Sequence, residues 1–506
     1  MVTNIKKQQI FSNMVMSVGQ VIVTGGVLFI LYHFLLNSIG IKQLGIWALV
    51  LSTTSAAGIA SFGISGSVVK YVAKYVARGE YESVVALIQT ALLSIGVVSG
   101  CVLLIAFPLF HSILAIILSS VSLKQALLLL PYSLLSLWIN IISGVLQSGL
   151  DGYQRIDIRT MITTLSTVLH FLLSIVFVPL YGLLGLAYAQ LFQAGVLLVA
   201  NWVFLKKVIP ALPVFPYQWN RKLFREMIVY GINFQTISLT QMLCDPITKA
   251  LLSKFAGLSA TGFYEMASRM LLQFRLLLVS ANQVLVPTVA HLHEINPNLI
   301  KNIYMESYNL MFYIALPFYS IIIASTPLIS EVWIGHYEND FVIFSGLLSI
   351  GLFINTLSVP AYFSYLGIGV LKWNTSGHIV TAVMNAAFGV MFGYNFGGMG
   401  VVIAWIISLV TGGVIIVISY HYTFNISLKQ LLPRESRGIT VACIFAILCA
   451  FLIIHKINNF GNHFLVSGLA LLIFLMIIVF PFWLHPMRRR LMGWVKIILI
   501  SMKTNT

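Results

Sequence analysis

Long apolar runs broken by short polar stretches fill the chain from end to end. One bilayer crossing needs about 20 mostly apolar residues. On that measure the runs predict fourteen spans, at about residues 10–36, 44–66, 84–110, 126–147, 161–180, 183–205, 228–252, 262–290, 304–328, 342–366, 377–394, 400–420, 439–455 and 463–485. Apolar/polar alternation of the outer-membrane barrel kind does not occur, so the spans are helices, which satisfy every backbone polar group internally. The sixth and twelfth spans follow their predecessors after very short turns, Tyr181-Gly182 and Phe396-Gly397-Gly398-Met399-Gly400.

Composition narrows the class to a polytopic all-α membrane protein. The 506 residues are 59% hydrophobic and 8% charged, against about 25% charged in soluble domains. A net charge of +16 would suggest nucleic acid in a soluble protein; here its distribution sets orientation instead. With the N-terminus inside, 22 of the 29 Lys and Arg residues fall on the cytoplasmic side and only Lys42, Lys124, Lys254 and Lys456 outside. This places both termini in the cytoplasm. The first span is too long for a removable signal peptide and lacks a small-residue cleavage site, so it is read as a retained anchor. Cys101, Cys244, Cys443 and Cys449 lie in spans without metal-ligand spacing, so neither a metal nor another cofactor is expected. The basic tail, amphipathic around Trp494 and Lys496, suits the inner-leaflet surface.

Pieces of the first six spans recur about 217 residues later. Gly40 and Gly45 pair with Gly257 and Gly262, Gly45-Ile46-Trp47 with Gly262-Phe263-Tyr264, and Gly152 and Arg155 with Gly369 and Lys372. At an offset of 215, Tyr181-Gly182-Leu183-Leu184-Gly185 matches Phe396-Gly397-Gly398-Met399-Gly400. Six spans restore orientation, so the repeat is parallel, as in transporters that rock two bundles around a shared site. The predicted organisation is two parallel six-helix lobes, 1–205 and 228–420, joined by a cytoplasmic linker at 206–227. Two extra helices within 421–485 and a basic cytoplasmic tail at 486–506 complete it.

Charges inside spans are costly and line water or meet partners. The seventh and eighth spans hold Asp245, Lys249, Glu265, Arg269 and Arg275. On the seventh, Asn233, Gln241, Asp245, Thr248 and Lys249 recur at helical spacing and form one polar stripe. The first span has a shorter version in Asn13, Ser17, Gln20 and Thr24. Such stripes read as the wall of a hydrated cavity or as interhelical hydrogen bonds in a packed bundle. If the chain folds back at Gly257, Asp245 comes level with Arg269 and Lys249 with Glu265. Asp245–Lys249 and Glu265–Arg269 are also i, i+4 pairs, which gives a structural or coupling ion-pair cluster. Arg275 lies about 20 Å deep, counted from Gly262 at 1.5 Å per residue. Helix carbonyls or Asn282 could neutralise it, or it could be an anion site gripping phosphate oxygens bidentately. Gln190, Gln193, Asn140 and His170 read as packing groups, and Lys70, Lys74 and Arg78 as a basic face toward the inner leaflet.

The repeat, the loop Leu146-Gln147-Ser148-Gly149-Leu150-Asp151-Gly152-Tyr153-Gln154-Arg155, Asp245 followed by Gly262-Phe263-Tyr264-Glu265-Met266-Ala267-Ser268-Arg269, and Glu331-Val332-Trp333-Ile334-Gly335 together resemble Wzx-type polysaccharide flippases. These form a branch of the multidrug/oligosaccharidyl-lipid/polysaccharide (MOP) exporter superfamily, which includes the MATE transporters. The resemblance implies a V-shaped pair of lobes, with spans 1, 2, 7 and 8 lining a central cavity. It implies a bacterial inner-membrane flippase, not an enzyme, that moves undecaprenyl-pyrophosphate-linked oligosaccharide by alternating access for O-antigen or capsule assembly. The implied partners are that lipid-linked saccharide, membrane lipids and the polymerase and chain-length machinery, around a monomeric transport unit. The substrate-cavity candidates are Arg275, Arg269, Lys249, Asp245, Gln241, Asn233, Asn282 and Gln20. No ATP-binding P-loop occurs, so ion gradients, membrane potential or downstream consumption would drive the movement. Three alternatives stay open. The lipid II flippase branch of the same superfamily also carries fourteen helices, but resembles this chain less, since spans 1 and 2 hold no arginine. A MATE-type ion-coupled drug or cation antiporter would want carboxylates free to exchange ions. A membrane polysaccharide polymerase or ligase would want an external loop carrying acid/base groups.

Overall fold

A computed structural model describes residues 7–61, 63–283, 285–457 and 463–492. The amphipathic stretch around Trp494 and Lys496 lies outside the described residues. All regular structure among the described residues is helical. Ten helical runs there are long and apolar enough to cross a membrane. Large apolar side chains such as Leu104, Ile105, Ile116 and Met476 stand exposed along them, as lipid-facing surfaces require.

The chain divides into two compact units, Met1–Glu265 with Gly393–Val401, and Met266–Phe392 with Val402–Thr506. The first contains α1 (Lys7–Ser55), a 3-10 turn (Ala56–Ser61), α2 (Ile64–Arg78), α3 (Tyr81–Ile117), α4 (Ser120–Gly152), α5 (Ile156–Tyr181), α6 (Leu183–Val208) and the opening part of α7 (Arg221–Asn282). In this unit α4 packs on α2, α3 and α6, and α5 lies between α1 and α6. Val68, Val72, Ile88, Val145, Leu150 and Leu205 form its core with Met227 from the start of α7. The connection before α7 is fastened to α3. Gln89 Oε1 accepts the backbone N–H groups of Tyr217 and Gln218, Trp219 Nε1 donates to Ser94 Oγ, and Asn220 N donates to Thr90 Oγ1. Three polar residues on an apolar helix thus hold the linker.

The second unit contains the rest of α7, α8 (Leu285–Ile295), α9 (Asn298–Trp333), α10 (Asn339–Thr356), α11 (Val359–Ile368), α12 (Lys372–Thr423) apart from Gly393–Val401, α13 (Arg437–Ile457) and α14 (His463–Leu484). Here α9 touches α10, α13 and α14, and α8 rests on α11. Tyr313 of α9 donates to the Phe482 carbonyl and stacks on its ring at 4.7 Å, which ties α14 to α9.

Three of the long helical runs turn at a glycine. The backbone is non-helical at Gly40 (φ 80°, ψ 164°), Gly257 (φ 87°, ψ 179°) and Gly397 (φ 61°, ψ −147°). Equivalent turns of the sequence repeat share geometry. Gly40 matches Gly257, and Gly397 matches Gly182 (φ 57°, ψ −134°). Some span edges differ from the hydropathy reading. The run at 44–66 stops at Ser55 and continues past a 3-10 turn as α2, since Gly58 and a left-handed Gly63 interrupt the helix. The run at 262–290 ends at Asn282, shortly before Pro287 in α8.

Candidate functional site

An unbroken helix would hold residues 249 and 265 about 24 Å apart at 1.5 Å per residue. Instead Lys249 Nζ lies 2.6 Å from Glu265 Oε2, so the chain folds back on itself at Gly257. The positive φ there is a conformation that glycine takes at no steric cost. Lys249 Nζ also lies 2.7 Å from Asp245 Oδ2, one turn earlier on its own helix. The surroundings are unequal: the side chains of Lys249 and Glu265 are 2% and 1% exposed, that of Asp245 is 45% exposed. The second oxygen of Glu265 accepts a 2.9 Å hydrogen bond from the Tyr32 hydroxyl of α1. Two carboxylates thus share one ammonium, and a phenol from the other repeat completes the buried one.

The second constellation lies in the other unit. Arg275 Nη2 donates to Asn355 Oδ1 of α10 at 2.7 Å, and Asn355 Nδ2 donates to the Leu409 carbonyl of α12. The Arg275 Nε is buried without a hydrogen-bond partner, and no carboxylate lies against the guanidinium among the described residues. Tyr319 and His378 stand within its electrostatic reach. Asn282 is not its neutraliser. Its amide donates to the Leu278 carbonyl and its oxygen accepts from Ser307.

The remaining sequence candidates separate. Arg269 falls in the second unit, four residues past the boundary, and its pairing with Asp245 stays a proposal. Gln20 is half-buried on α1, with no hydrogen bond or ion pair among the described residues. The side chains of Asn233 and Gln241, like those of Asn13 and Ser17, lie outside the described residues. Thr248 spends its hydroxyl on the Cys244 carbonyl. Sequence reading missed Tyr32 and Asn355. Asn355 has no local signal, being 80 residues from Arg275. Tyr32 had one, since it sits 217 residues before Lys249, at the repeat offset. Among the described residues no group of three His, Cys, Asp or Glu side chains could hold a metal.

A family model described as polysaccharide biosynthesis protein matches residues 42–342. The chain belongs to that family. No curated protein resembles this family member closely enough to count as a match. Among solved structures, an inward-facing MATE multidrug-resistance transporter of the MOP superfamily shares 16% identity at a TM-score of 0.68, covering 81% of this chain and 94% of its own. The lipid II flippase MurJ, in an inward closed conformation, shares 13% identity at a TM-score of 0.68, covering 92% and 97%. A MOP superfamily transporter from Pyrococcus furiosus shares 13% identity at a TM-score of 0.57, covering 82% and 95%. At such identities the likeness shows the fold. Family and fold together give a multi-pass membrane protein of polysaccharide biosynthesis that shares the helical fold of these transporters.

Proposed function

We propose that this polysaccharide-biosynthesis protein flips an undecaprenyl-pyrophosphate-linked oligosaccharide across the bacterial inner membrane by alternating access, for O-antigen or capsule assembly. In this reading fourteen spans form two six-helix lobes plus an appended pair, with both termini cytoplasmic. The headgroup crosses through a hydrated cavity while the isoprenoid tail stays in lipid, and a polymerase and its chain-length machinery consume the product.

Arg275 carries the substrate assignment. A guanidinium in a membrane helix without a carboxylate against it is expensive to keep, and Asn355 neutralises none of its charge. Asn355 is itself held by the Leu409 carbonyl, so the planar head has a fixed orientation with its Nε still unused. A pyrophosphate would supply the missing counter-charge and accept two parallel N–H bonds. An organic cation would meet the wrong sign here, which disfavours a cation antiporter. Asp245 and Glu265 are both committed to Lys249, a further departure from carboxylates free to exchange ions.

The test is surface polymer in a strain depending on this chain. Arg275→Ala should abolish it at unchanged membrane protein level, and Arg275→Lys, which keeps the charge but loses the fork, should restore only part. Normal polymer in Arg275→Ala would overturn the assignment.

A further inference from the structure

The hairpin that turns at Gly40 and the hairpin that turns at Gly257 occupy equivalent places in the sequence repeat, and within the first unit their ends meet. Gly45 sits so close to the backbone of Leu258 that a Cβ would collide with its carbonyl. Gly262 stands in the same relation to Ile41, where a Cβ would come within 2.7 Å of the carbonyl oxygen. Adding 217 to 45 and 41 gives 262 and 258, so the contact is reciprocal: each glycine receives the residue equivalent to the one its counterpart receives. The hairpin ends are therefore related by a local two-fold operation.

Close backbone approach lets the ends meet but adds little that holds them. The hold is polar and departs from the symmetry. Tyr32 and Lys249 are equivalent positions, and both reach the same carboxylate, Glu265. The position equivalent to Glu265 is Ala48, and the one equivalent to Asp245 is Leu28. One repeat thus supplies the carboxylate and its cation, and the other supplies a phenol donor. Lys249 belongs to the same hairpin as Glu265 and would stay with it if the hairpins parted. The Tyr32 bond would break, in an end that water then enters. The open state would leave no buried charge unpaired, and this makes the arrangement reversible.

We infer that the Tyr32–Glu265 hydrogen bond, charged by Lys249, is a latch that holds the ends of the two hairpins together and is released in each transport cycle. The charge distribution puts these ends on the outer side, so the latch governs release of the headgroup outward. The inference rests on the flippase reading only for the purpose of the opening.

The experiment uses the full chain in lipid nanodiscs, with its four native cysteines replaced by alanine and spin labels at Lys42→Cys and Ser259→Cys, equivalent positions near the two ends. Double electron–electron resonance then reads the short and long distance populations. Tyr32→Phe keeps the ring and removes the donor, and should raise the long-to-short ratio about tenfold or more, the worth of a hydrogen bond to a charged group. With Glu265→Gln already in place the bond is neutral, and adding Tyr32→Phe should change the ratio only about two- to threefold. An unchanged distribution in Tyr32→Phe would overturn the latch, and so would an equal shift in both backgrounds. The distances need no substrate, so failure here leaves the flippase assignment standing, and normal polymer in Arg275→Ala leaves the latch standing.

Discussion

Lys249→Met is a substitution for which the structure dictates a large loss of stability, and the two ion pairs divide that loss unequally. Methionine keeps the length of the side chain and its packing but removes the ammonium. Glu265, 1% exposed and 2.6 Å from Lys249, would lose that cation while keeping the Tyr32 phenol. Stranding one member of a buried pair costs about 3–5 kcal/mol. Asp245 is 45% exposed, so solvent screens its pair, and its share is about 0–1 kcal/mol. Lys249→Met should therefore destabilise by roughly 3–5 kcal/mol, dominated by Glu265, whereas Asp245→Asn should cost about 1 kcal/mol or less. Removing both buried charges in Lys249→Met/Glu265→Gln should return most of the loss, because no carboxylate is then stranded. Reversible unfolding in mixed micelles with increasing sodium dodecyl sulfate measures these four proteins and the single Glu265→Gln variant that completes the cycle. A coupling energy of about 2 kcal/mol or more for Lys249 and Glu265 is the expected result. An Asp245→Asn cost equal to that of Lys249→Met, or a double variant no better than the single one, would refute this division.

Two other expectations follow from the geometry. Asn355→Leu removes the polar partner that orients Arg275 among the described residues and should slow transport about tenfold at unchanged expression, the scale of a hydrogen bond to a charged group; a rate equal to wild type would dissociate Asn355 from the site. At the end of α14, His485 accepts the Met487 N–H at Nδ1, meets Ser436 Oγ through Nε2 and stacks on Tyr313 at 4.5 Å. Burial holds its pKa below the ordinary histidine value, with Glu435 opposing and Arg490 assisting. A depressed value means that the unfolded chain takes the proton first. The stabilisation is therefore whole above a pH of about 6.5 and is lost as pH falls through the folded value. The drop in Tm from pH 7.5 to 5.5 should be larger for wild type than for His485→Gln, and equal drops would refute this.

The sequence was most informative where geometry is local. Lys249 and Glu265 stand at equal distances from Gly257, so folding back at one glycine suffices to bring them level, and the structure places them in contact. Asp245 and Lys249 needed only the helical repeat of i, i+4. Arg275 stood out as a deep charge without a sequence neighbour of opposite sign, but its actual partner, Asn355, comes from a helix whose approach only tertiary packing decides. Asn282, the polar residue nearer in sequence, is instead consumed by the Leu278 carbonyl and Ser307. Tyr32 was hidden for another reason. A tyrosine in an apolar run reads as core, and its hydroxyl becomes informative only when the repeat offset aligns it with Lys249. Hydropathy also ran straight through the interruption at Ala56–Ser61, because alanine, isoleucine and glycine score as apolar whether or not they continue an α-helix.

Transbilayer movement of the lipid-linked headgroup can be measured directly. The purified chain would be reconstituted into liposomes carrying an undecaprenyl-pyrophosphate oligosaccharide, and a membrane-impermeant glycosidase would report the fraction of headgroups exposed outside over time. Wild-type protein should make the inner-leaflet pool accessible, while Arg275→Ala liposomes with equal protein content should stay at the protein-free level. Equal rates for wild type and Arg275→Ala, or no movement by wild type in the presence of either a proton or a sodium gradient, would contradict the flippase assignment.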